Sequence, residues 1–214
     1  MWARDGAHTA RGLEALFNCA CPSQAEMLGS MKLALAATLA LFAPSAPALA
    51  KEVSGITLPE SATVAGKPVV LNGAGVRKKF VFKVYVAGLY VETPSRDEAM
   101  LLSSDQVKQI QLWMLRDLDR KQIVEAIRKG FERNARARMP ALQARLDQFT
   151  AKIPDVKKGS QLVITYQPGV GTQVSGAGES TSVPGKDFAD ALLSVWLGDE
   201  PVDGGLKKGL LGGS

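Results

Sequence analysis

Three side chains between positions 77 and 85 could together hold an anion. Arg77, Lys83 and Tyr85 have the same parity, so a continuous β-strand would project them from one face. Arginine presents a rigid fork of donors that suits a carboxylate or an enolate, and tyrosine adds a hydroxyl group on an apolar ring. An extended strand would place Arg77 about 26 Å from Tyr85, so their cooperation requires a bend or an intervening turn. The competing interpretation, which the spacing alone favours, is a solvated basic edge strand whose charges prevent aggregation.

Histidine and cysteine chemistry is confined to the first 50 residues. The chain's single histidine and its two cysteines are His8, Cys19 and Cys21. A Ser-His-Asp or Cys-His catalytic site is therefore impossible after residue 50, and zinc would have only carboxylates as ligands. The sequence also lacks a G-x-x-x-x-G-K-S/T phosphate loop. We expect neither a metal nor a cofactor.

Residues 31–50 have the order of a secretory signal peptide. A positive start at Lys32 precedes an uncharged run (LALAATLALF), which is followed by a proline-containing stretch and by small residues at Ala48 and Ala50. The apolar run is too short to span a bilayer. This pattern predicts cleavage after Ala50 and an exported, periplasmic protein that consists of residues 51–214.

Residues 1–30 show no sustained apolar period and are excluded from the predicted domain. We interpret them as a disordered upstream extension caused by a start codon assigned too early, because Met27 and Met31 both offer alternative starts. The alternatives are a long n-region of the signal peptide and a separate functional peptide.

The predicted domain is moderately basic. The first 50 residues carry as many basic as acidic side chains, so the net charge of +5 belongs to residues 51–214. This dispersed excess permits attraction to an anionic ligand or peripheral contact with a membrane surface, and it does not indicate nucleic-acid binding. The length suits a single domain with a sizeable core, which we expect to be a monomer.

The strongest strand signal lies in residues 76–92. Phe80, Phe82, Val84 and Val86 alternate with a mixed face, which predicts one long bent strand or two strands that meet at a corner. The Asn-Gly-Ala-Gly stretch at 72–75 predicts a tight turn or bulge with unusual backbone angles. Further strands are predicted near 52–65, 69–71, 107–116, 161–166 and 171–174.

Helical signals follow the strands without regular alternation. Asp119 and Gln122 have the spacing of a capping box, and Ser95 is predicted to cap a shorter helix. The predicted helices cover 95–102, two segments between 119 and 154, a segment from 188 to Gly198, and 203–211. This order predicts an α+β fold in which helices are layered against an antiparallel sheet.

Three segments resemble the chalcone isomerase-like family, and in particular its exported bacterial branch. They are residues 71–77 (LNGAGVR), residues 82–91 (FKVYVAGLYV) and residues 191–198 (ALLSVWLG). The resemblance covers nearly all of residues 53–212. It implies an open-faced β-sandwich, in which a large antiparallel sheet carries helices on one face and a ligand cleft lies between them.

The resemblance also implies roles for individual residues. The family's cleft arginine matches Arg77. Tyr85 occupies the position at which the plant enzymes have a catalytic threonine. A tyrosine at this position resembles the fatty-acid-binding members of the family, in which Arg and Tyr together hold a carboxylate. The plant enzymes' Tyr and Asn fall near Ile123 and Gly130, and a late threonine falls near Val195. None of these three residues can donate a side-chain hydrogen bond.

The expected function is therefore the binding of a small amphipathic acidic ligand, such as a fatty acid. Arg77, Lys83, Tyr85, Ile123 and Val195 are the predicted ligand-binding residues, with apolar side chains of the Ile123 and Trp196 helices around the tail. The first alternative is an intramolecular lyase that acts on an enone, with Arg77 and Tyr85 as its catalytic residues. The second is a periplasmic scaffold protein without a ligand.

Overall fold

A computed structural model describes residues 50–175 and 181–213. The predicted upstream extension and all but the last residue of the predicted signal peptide lie outside the described residues. Ala50, the last residue of that peptide, is the first residue of strand β1.

The centre of the fold is an antiparallel sheet of seven strands whose order follows the chain. A separate two-stranded hairpin precedes it. The hairpin consists of β1 (Ala50–Val53) and β2 (Ile56–Pro59), and the sheet of β3 (Ser61–Val64), β4 (Lys67–Lys79), β5 (Phe82–Val91), β6 (Lys108–Met114), β7 (Gln161–Gln167), β8 (Gly171–Ser175) and β9 (Thr181–Val183).

Helices occupy the connections on either side of β6 and follow the last strand. They are α1 (Glu98–Ser103), α2 (Arg120–Asn134), a 3₁₀ turn (Arg136–Arg138), α3 (Met139–Ala151), α4 (Lys186–Leu197) and α5 (Gly204–Leu210). This arrangement confirms the predicted α+β fold. Each helix among the described residues is too short or too polar to cross a membrane.

The two faces of the sheet are covered differently. Ala87, Leu89 and Val91 of β5 join the main core together with residues from each of the helices α1 to α5, such as Phe131 and Phe188. On the opposite face, Val86 and Ala74 pack against Leu58 of the β1–β2 hairpin. The helices therefore lie on one face of the sheet, and the small hairpin covers part of the other.

Residues 76–92 form parts of two strands that are joined by a tight turn. They form neither one long bent strand nor two strands that meet at a corner. The chain reverses at Phe80 and Val81, so β4 and β5 form a tight hairpin in which Lys79 pairs with Phe82. The predicted apolar face is divided as a result: Phe80 and Phe82 are exposed at the tip, whereas Val84 and Val86 are buried.

The Asn-Gly-Ala-Gly stretch lies within β4, where the register shifts between Leu71 and Gly73. The predicted bulge is confirmed, whereas the predicted turn with unusual backbone angles is wrong. The glycine is required by close packing instead, because a Cβ on Gly73 would lie 2.3 Å from the carbonyl oxygen of Gly209 in α5. Asn72 reinforces this contact by donating to the Leu210 carbonyl at 2.8 Å.

The predicted cap of α2 is confirmed, and the predicted cap of α1 is wrong. Asp119 and Gln122 form the predicted capping box at the start of α2. Helix α1 begins at Glu98 with Asp97, not Ser95, as its cap, since the Asp97 carboxylate accepts from the backbone of Ala99 at 2.8 Å. The hydroxyl group of Ser95 instead accepts from the backbone N–H of Asp97 at 3.0 Å.

Candidate ligand-binding site

Arg77 and Tyr85 are direct partners across the β4–β5 hairpin. The turn at residues 80–81 removes the separation that a single strand would impose and places both side chains on the helix-covered face. The Cζ atom of Arg77 lies 5.6 Å from the centre of the Tyr85 ring. Cation–π contacts of this kind contribute about 0.5–2 kcal/mol, so each of the two side chains stabilises the position of the other.

Helix α5 is positioned beside this pair by the glycines that precede Arg77. Gly73 and Gly75 lie on the same face as Arg77 and allow α5 to pack directly on β4. At the start of α5, the carboxylate of Asp203 accepts from the backbone N–H of Lys78 at 2.8 Å and from that of Leu206 at 2.9 Å. Both oxygens of Asp203 are thus engaged by backbone groups.

The hydroxyl group of Tyr85 is buried and oriented by helix α4. Tyr85 is only 5% exposed, and its oxygen accepts from the indole Nε1 of Trp196 at 2.9 Å. Burial raises the pKa of Tyr85, while the charge of Arg77 and the Trp196 hydrogen bond act in the opposite direction. Tyr85 is therefore neutral at physiological pH and keeps its own hydrogen to donate.

The guanidinium group of Arg77 has unused donor capacity. Arg77 is half-buried, and its Nε is buried without a hydrogen-bond partner among the described residues. A buried donor without an acceptor costs about 1–3 kcal/mol, so an oxygen supplied by a ligand would be stabilised there. The Arg77 and Tyr85 donors together suit a carboxylate or a polarised carbonyl group.

A small, mainly apolar cavity lies between the sheet and helix α4. Its volume of about 20 Å³ leaves room for about one water molecule. Trp196 forms part of its wall and also donates to Tyr85, so this side chain connects the cavity to the polar pair. The lining residues are Lys108, Ile110, Ile164, Tyr166, Thr172, Ala189, Leu192, Leu193 and Trp196.

The cavity has a polar end, formed by Lys108 and Thr172, that is not among the predicted ligand-binding residues. Lys108 is only 4% exposed, and its Nζ donates to the Leu102 carbonyl at 3.0 Å and lies 3.7 Å from Asp190. Burial lowers the pKa of Lys108 to about 8, and the charge of Asp190 opposes this shift. In the same wall, the hydroxyl group of Thr172 is buried without a partner among the described residues. The alternation of β6 indicates that Lys108 is buried, because Lys108 has the same parity as the buried Ile110.

Lys83 does not join Arg77 and Tyr85. The register shifts after Arg77, so Lys83 pairs with Lys78, and the extra residue places Val84 in the helix-side core. The exposed Lys83 side chain donates instead to Ser54 Oγ at 3.2 Å, in the turn of the β1–β2 hairpin. The prediction that these three side chains share one face is therefore wrong for Lys83.

Ile123 and Val195 occupy packing positions between the helices and the sheet. Ile123 is partly buried against the main core. Val195 is buried where α4 meets α2, and a Cβ on Gly130 would lie 2.7 Å from its Cγ2. Neither residue lines the cavity. Among the described residues, no group of three or more His, Cys, Asp or Glu side chains could hold a metal ion.

Comparisons with known proteins give the family and a structural relative. A family model described as chalcone isomerase-like matches residues 50–212. The crystal structure of a fatty-acid binding protein from Arabidopsis thaliana superimposes with a TM-score of 0.58 and 18% sequence identity, covering 76% of this chain and 96% of that one. At this identity the likeness establishes a shared fold. No curated protein sequence matches the chain. Since the family model spans most of the sequence, the chain belongs to the chalcone isomerase-like family.

Proposed function

We propose that this protein binds a small amphipathic ligand with a carboxylate head group, such as a fatty acid. The observation that carries the proposal is the Arg77–Tyr85 pair. The buried Arg77 Nε has no acceptor among residues 50–175 and 181–213, while the neighbouring Tyr85 hydroxyl still has a hydrogen to donate. The structural likeness to a fatty-acid binding protein supports the same ligand class.

The head group would bind at the Arg77 end of the cluster. A carboxylate there accepts from Arg77 and from the Tyr85 O–H, and charge-assisted hydrogen bonds of this kind are about twice as strong as neutral ones. The bond from Trp196 holds the Tyr85 oxygen in place before the ligand arrives and leaves the hydroxyl hydrogen available to donate.

The tail would extend past Trp196 into the cavity between the sheet and α4. The cavity is too small for an acyl chain as it stands, so Leu192 and Leu193, which line it beside Trp196, must shift when the ligand enters. Binding is thus coupled to a local rearrangement of α4 side chains. Because Trp196 lines the same cavity, its fluorescence reports that rearrangement.

A binding role fits this site better than the lyase alternative. By resemblance, the plant enzymes' polar residues fall near Ile123, Gly130 and Val195, which here pack helices together. Groups that would orient a phenolate for ring closure are missing from those positions, and such orientation supplies much of the rate of an intramolecular reaction.

We also propose that the protein is exported, because residues 31–50 have the order of a signal peptide. Mass spectrometry of the periplasmic fraction from a bacterial host tests this. A protein beginning at Lys51 is the expected result, and a full-length chain retained in the cytoplasm would contradict export.

The ligand is tested by extracting the purified protein with organic solvent and analysing the extract by mass spectrometry. A fatty acid recovered from the wild type and lost in Arg77→Ala supports the proposal. Turnover of a chalcone by the wild type would instead support the lyase, and an extract without ligand, in a protein that binds no added fatty acid, would leave the scaffold role.

A further inference from the structure

The tip of the β4–β5 hairpin presents three consecutive large apolar side chains to solvent. Phe80 is 89% exposed, Val81 86% and Phe82 58%. Isolated exposed apolar residues are common on protein surfaces, whereas a contiguous apolar cluster at a protruding turn marks an interaction site.

The backbone of the turn gives a second, independent observation. Phe80 has a φ of +56°, a conformation that bulky residues rarely adopt. Two-residue hairpin turns with a positive φ at the first position favour glycine there. An aromatic residue at this position weakens the turn, so its presence points to a role other than forming the hairpin.

Basic residues surround the apolar tip. Lys78, Lys79 and Lys83 are exposed on the two strands that lead to it, and the guanidinium carbon of Arg116 lies 5.3 Å from the centre of the Phe82 ring. Lys79 has Glu125 of α2 in its neighbourhood, but the carboxylate of Glu125 is bonded to Lys129 at 2.6 Å. An apolar tip within a ring of cations is complementary to an anionic lipid surface, where apolar groups enter the interface and basic groups reach phosphates.

We propose that the β4–β5 hairpin is a membrane-docking tip. Phe80, Val81 and Phe82 insert into the interfacial layer of an anionic bilayer, while the flanking lysines and Arg116 contact its head groups. Arg77 directly precedes this basic segment, so docking would place the ligand site at the membrane surface. The docking proposal depends on the exposed apolar tip and the surrounding basic residues, and it does not require the ligand proposal to be correct.

Vesicle sedimentation tests the tip. The full chain is mixed with vesicles of phosphatidylcholine alone or with added phosphatidylglycerol. The variant Phe80→Gly/Val81→Ser is compared with Met100→Ser/Val170→Ser, which removes two exposed apolar side chains outside the β4–β5 hairpin, one in α1 and one in the β7–β8 turn. We expect at least tenfold weaker binding to anionic vesicles for the tip variant and no change for the control.

The charge requirement is tested with Lys78→Gln/Lys79→Gln/Lys83→Gln. Each lysine near an anionic surface contributes about fivefold to affinity, so binding should fall by more than tenfold, and added salt should weaken the wild type more than this variant. Equal binding by wild type, tip variant and charge variant would overturn the proposal.

A local reporter separates the tip from the apolar run at residues 33–42, which could itself bind lipid. When anionic vesicles are added, the tryptophan fluorescence of Phe80→Trp should shift to the blue relative to that of the wild type. Brominated lipids should quench this added fluorescence. An unchanged emission would overturn the proposal even if the chain sediments with vesicles. Analytical ultracentrifugation gives a further test. If the wild type is a dimer that the tip variant dissociates, and vesicles bind neither protein, the tip is a contact between two copies and the proposal is overturned.

Discussion

The indole Nε1 of Trp196 donates a hydrogen bond to the buried hydroxyl group of Tyr85 at 2.9 Å. This bond joins helix α4 to the strand that carries the candidate head-group site. It also leaves the Tyr85 hydrogen free, so a single interaction both fixes the sheet–helix geometry and preserves a donor for a ligand.

Removal of this bond should destabilise the fold measurably. In Tyr85→Phe the buried Trp196 N–H loses its acceptor, which we expect to lower the free energy of unfolding by about 1–3 kcal/mol. In Trp196→Phe the Tyr85 oxygen loses its donor, with a loss in the same range. The double variant Tyr85→Phe/Trp196→Phe should lose less than the sum of the two, as measured by urea unfolding. Strict additivity would show that the two groups are not coupled.

The role of Val195 as a packing residue can be tested through Gly130. Gly130→Ala would bring a Cβ within 2.7 Å of Val195 Cγ2, so we expect it to lower the free energy of unfolding by about 1–3 kcal/mol. Val195→Ala in the same chain should recover part of that loss by making room for the new methyl group.

Gly204→Ala is the matched control, because no atom in the described part of the chain lies within 4 Å of the position that its Cβ would take. Thermal unfolding should show little change or a small gain for this variant. If Gly130→Ala behaved like Gly204→Ala, the close contact between Gly130 of α2 and Val195 of α4 would be contradicted.

Stability should rise with pH because of Lys108. Burial lowers the pKa of this side chain from its usual 10.5 to about 8, so between these values the unfolded chain binds more protons than the folded one. The free energy of unfolding then increases with pH, by an amount on the order of 2 kcal/mol between pH 8 and pH 10.

The measurement is urea unfolding of the wild type and Lys108→Met across this window. We limit it to pH 10 because burial raises the pKa of Tyr85 and Tyr90, so tyrosine ionisation in the unfolded chain works in the opposite direction above that value. Lys108→Met should lose the rise, and Lys129→Met, which changes an exposed lysine, should keep it. A slope that survives in Lys108→Met would disprove the assignment.

Much of the fold follows from local patterns in the sequence. Alternation predicts strands near β5, β6 and β7, and the Asp119–Gln122 spacing predicts the start of α2 because a capping box is a short-range interaction. Arg77 and Tyr85 could be singled out by residue type and resemblance. Their contact could not be derived from spacing, since it depends on a turn at Phe80 and Val81, neither of which is a typical turn residue.

The remaining features depend on contacts between distant parts of the chain. A single bulge reverses the alternation at Val84 and separates Lys83 from the site, and no local signal marks it. Tyr85 meets Trp196 across 111 positions in the sequence, so the bond is a product of tertiary packing. The buried environment of Lys108 could have been inferred from its parity with Ile110, but its partner Asp190 comes from α4.

Fatty-acid titration measures whether Arg77 binds the carboxylate of an apolar ligand. Trp113→Phe leaves Trp196 as the only tryptophan after residue 50, so its fluorescence reports binding next to the site. In this background, Arg77→Ala is compared with Arg116→Ala, whose guanidinium also lies over an aromatic ring but at the exposed Phe82. Loss of charged hydrogen bonds should cost about 1.5–3 kcal/mol, so we predict at least tenfold weaker binding for Arg77→Ala and unchanged binding for Arg116→Ala. Equal affinity in Arg77→Ala and its parent would show that Arg77 does not bind the ligand carboxylate.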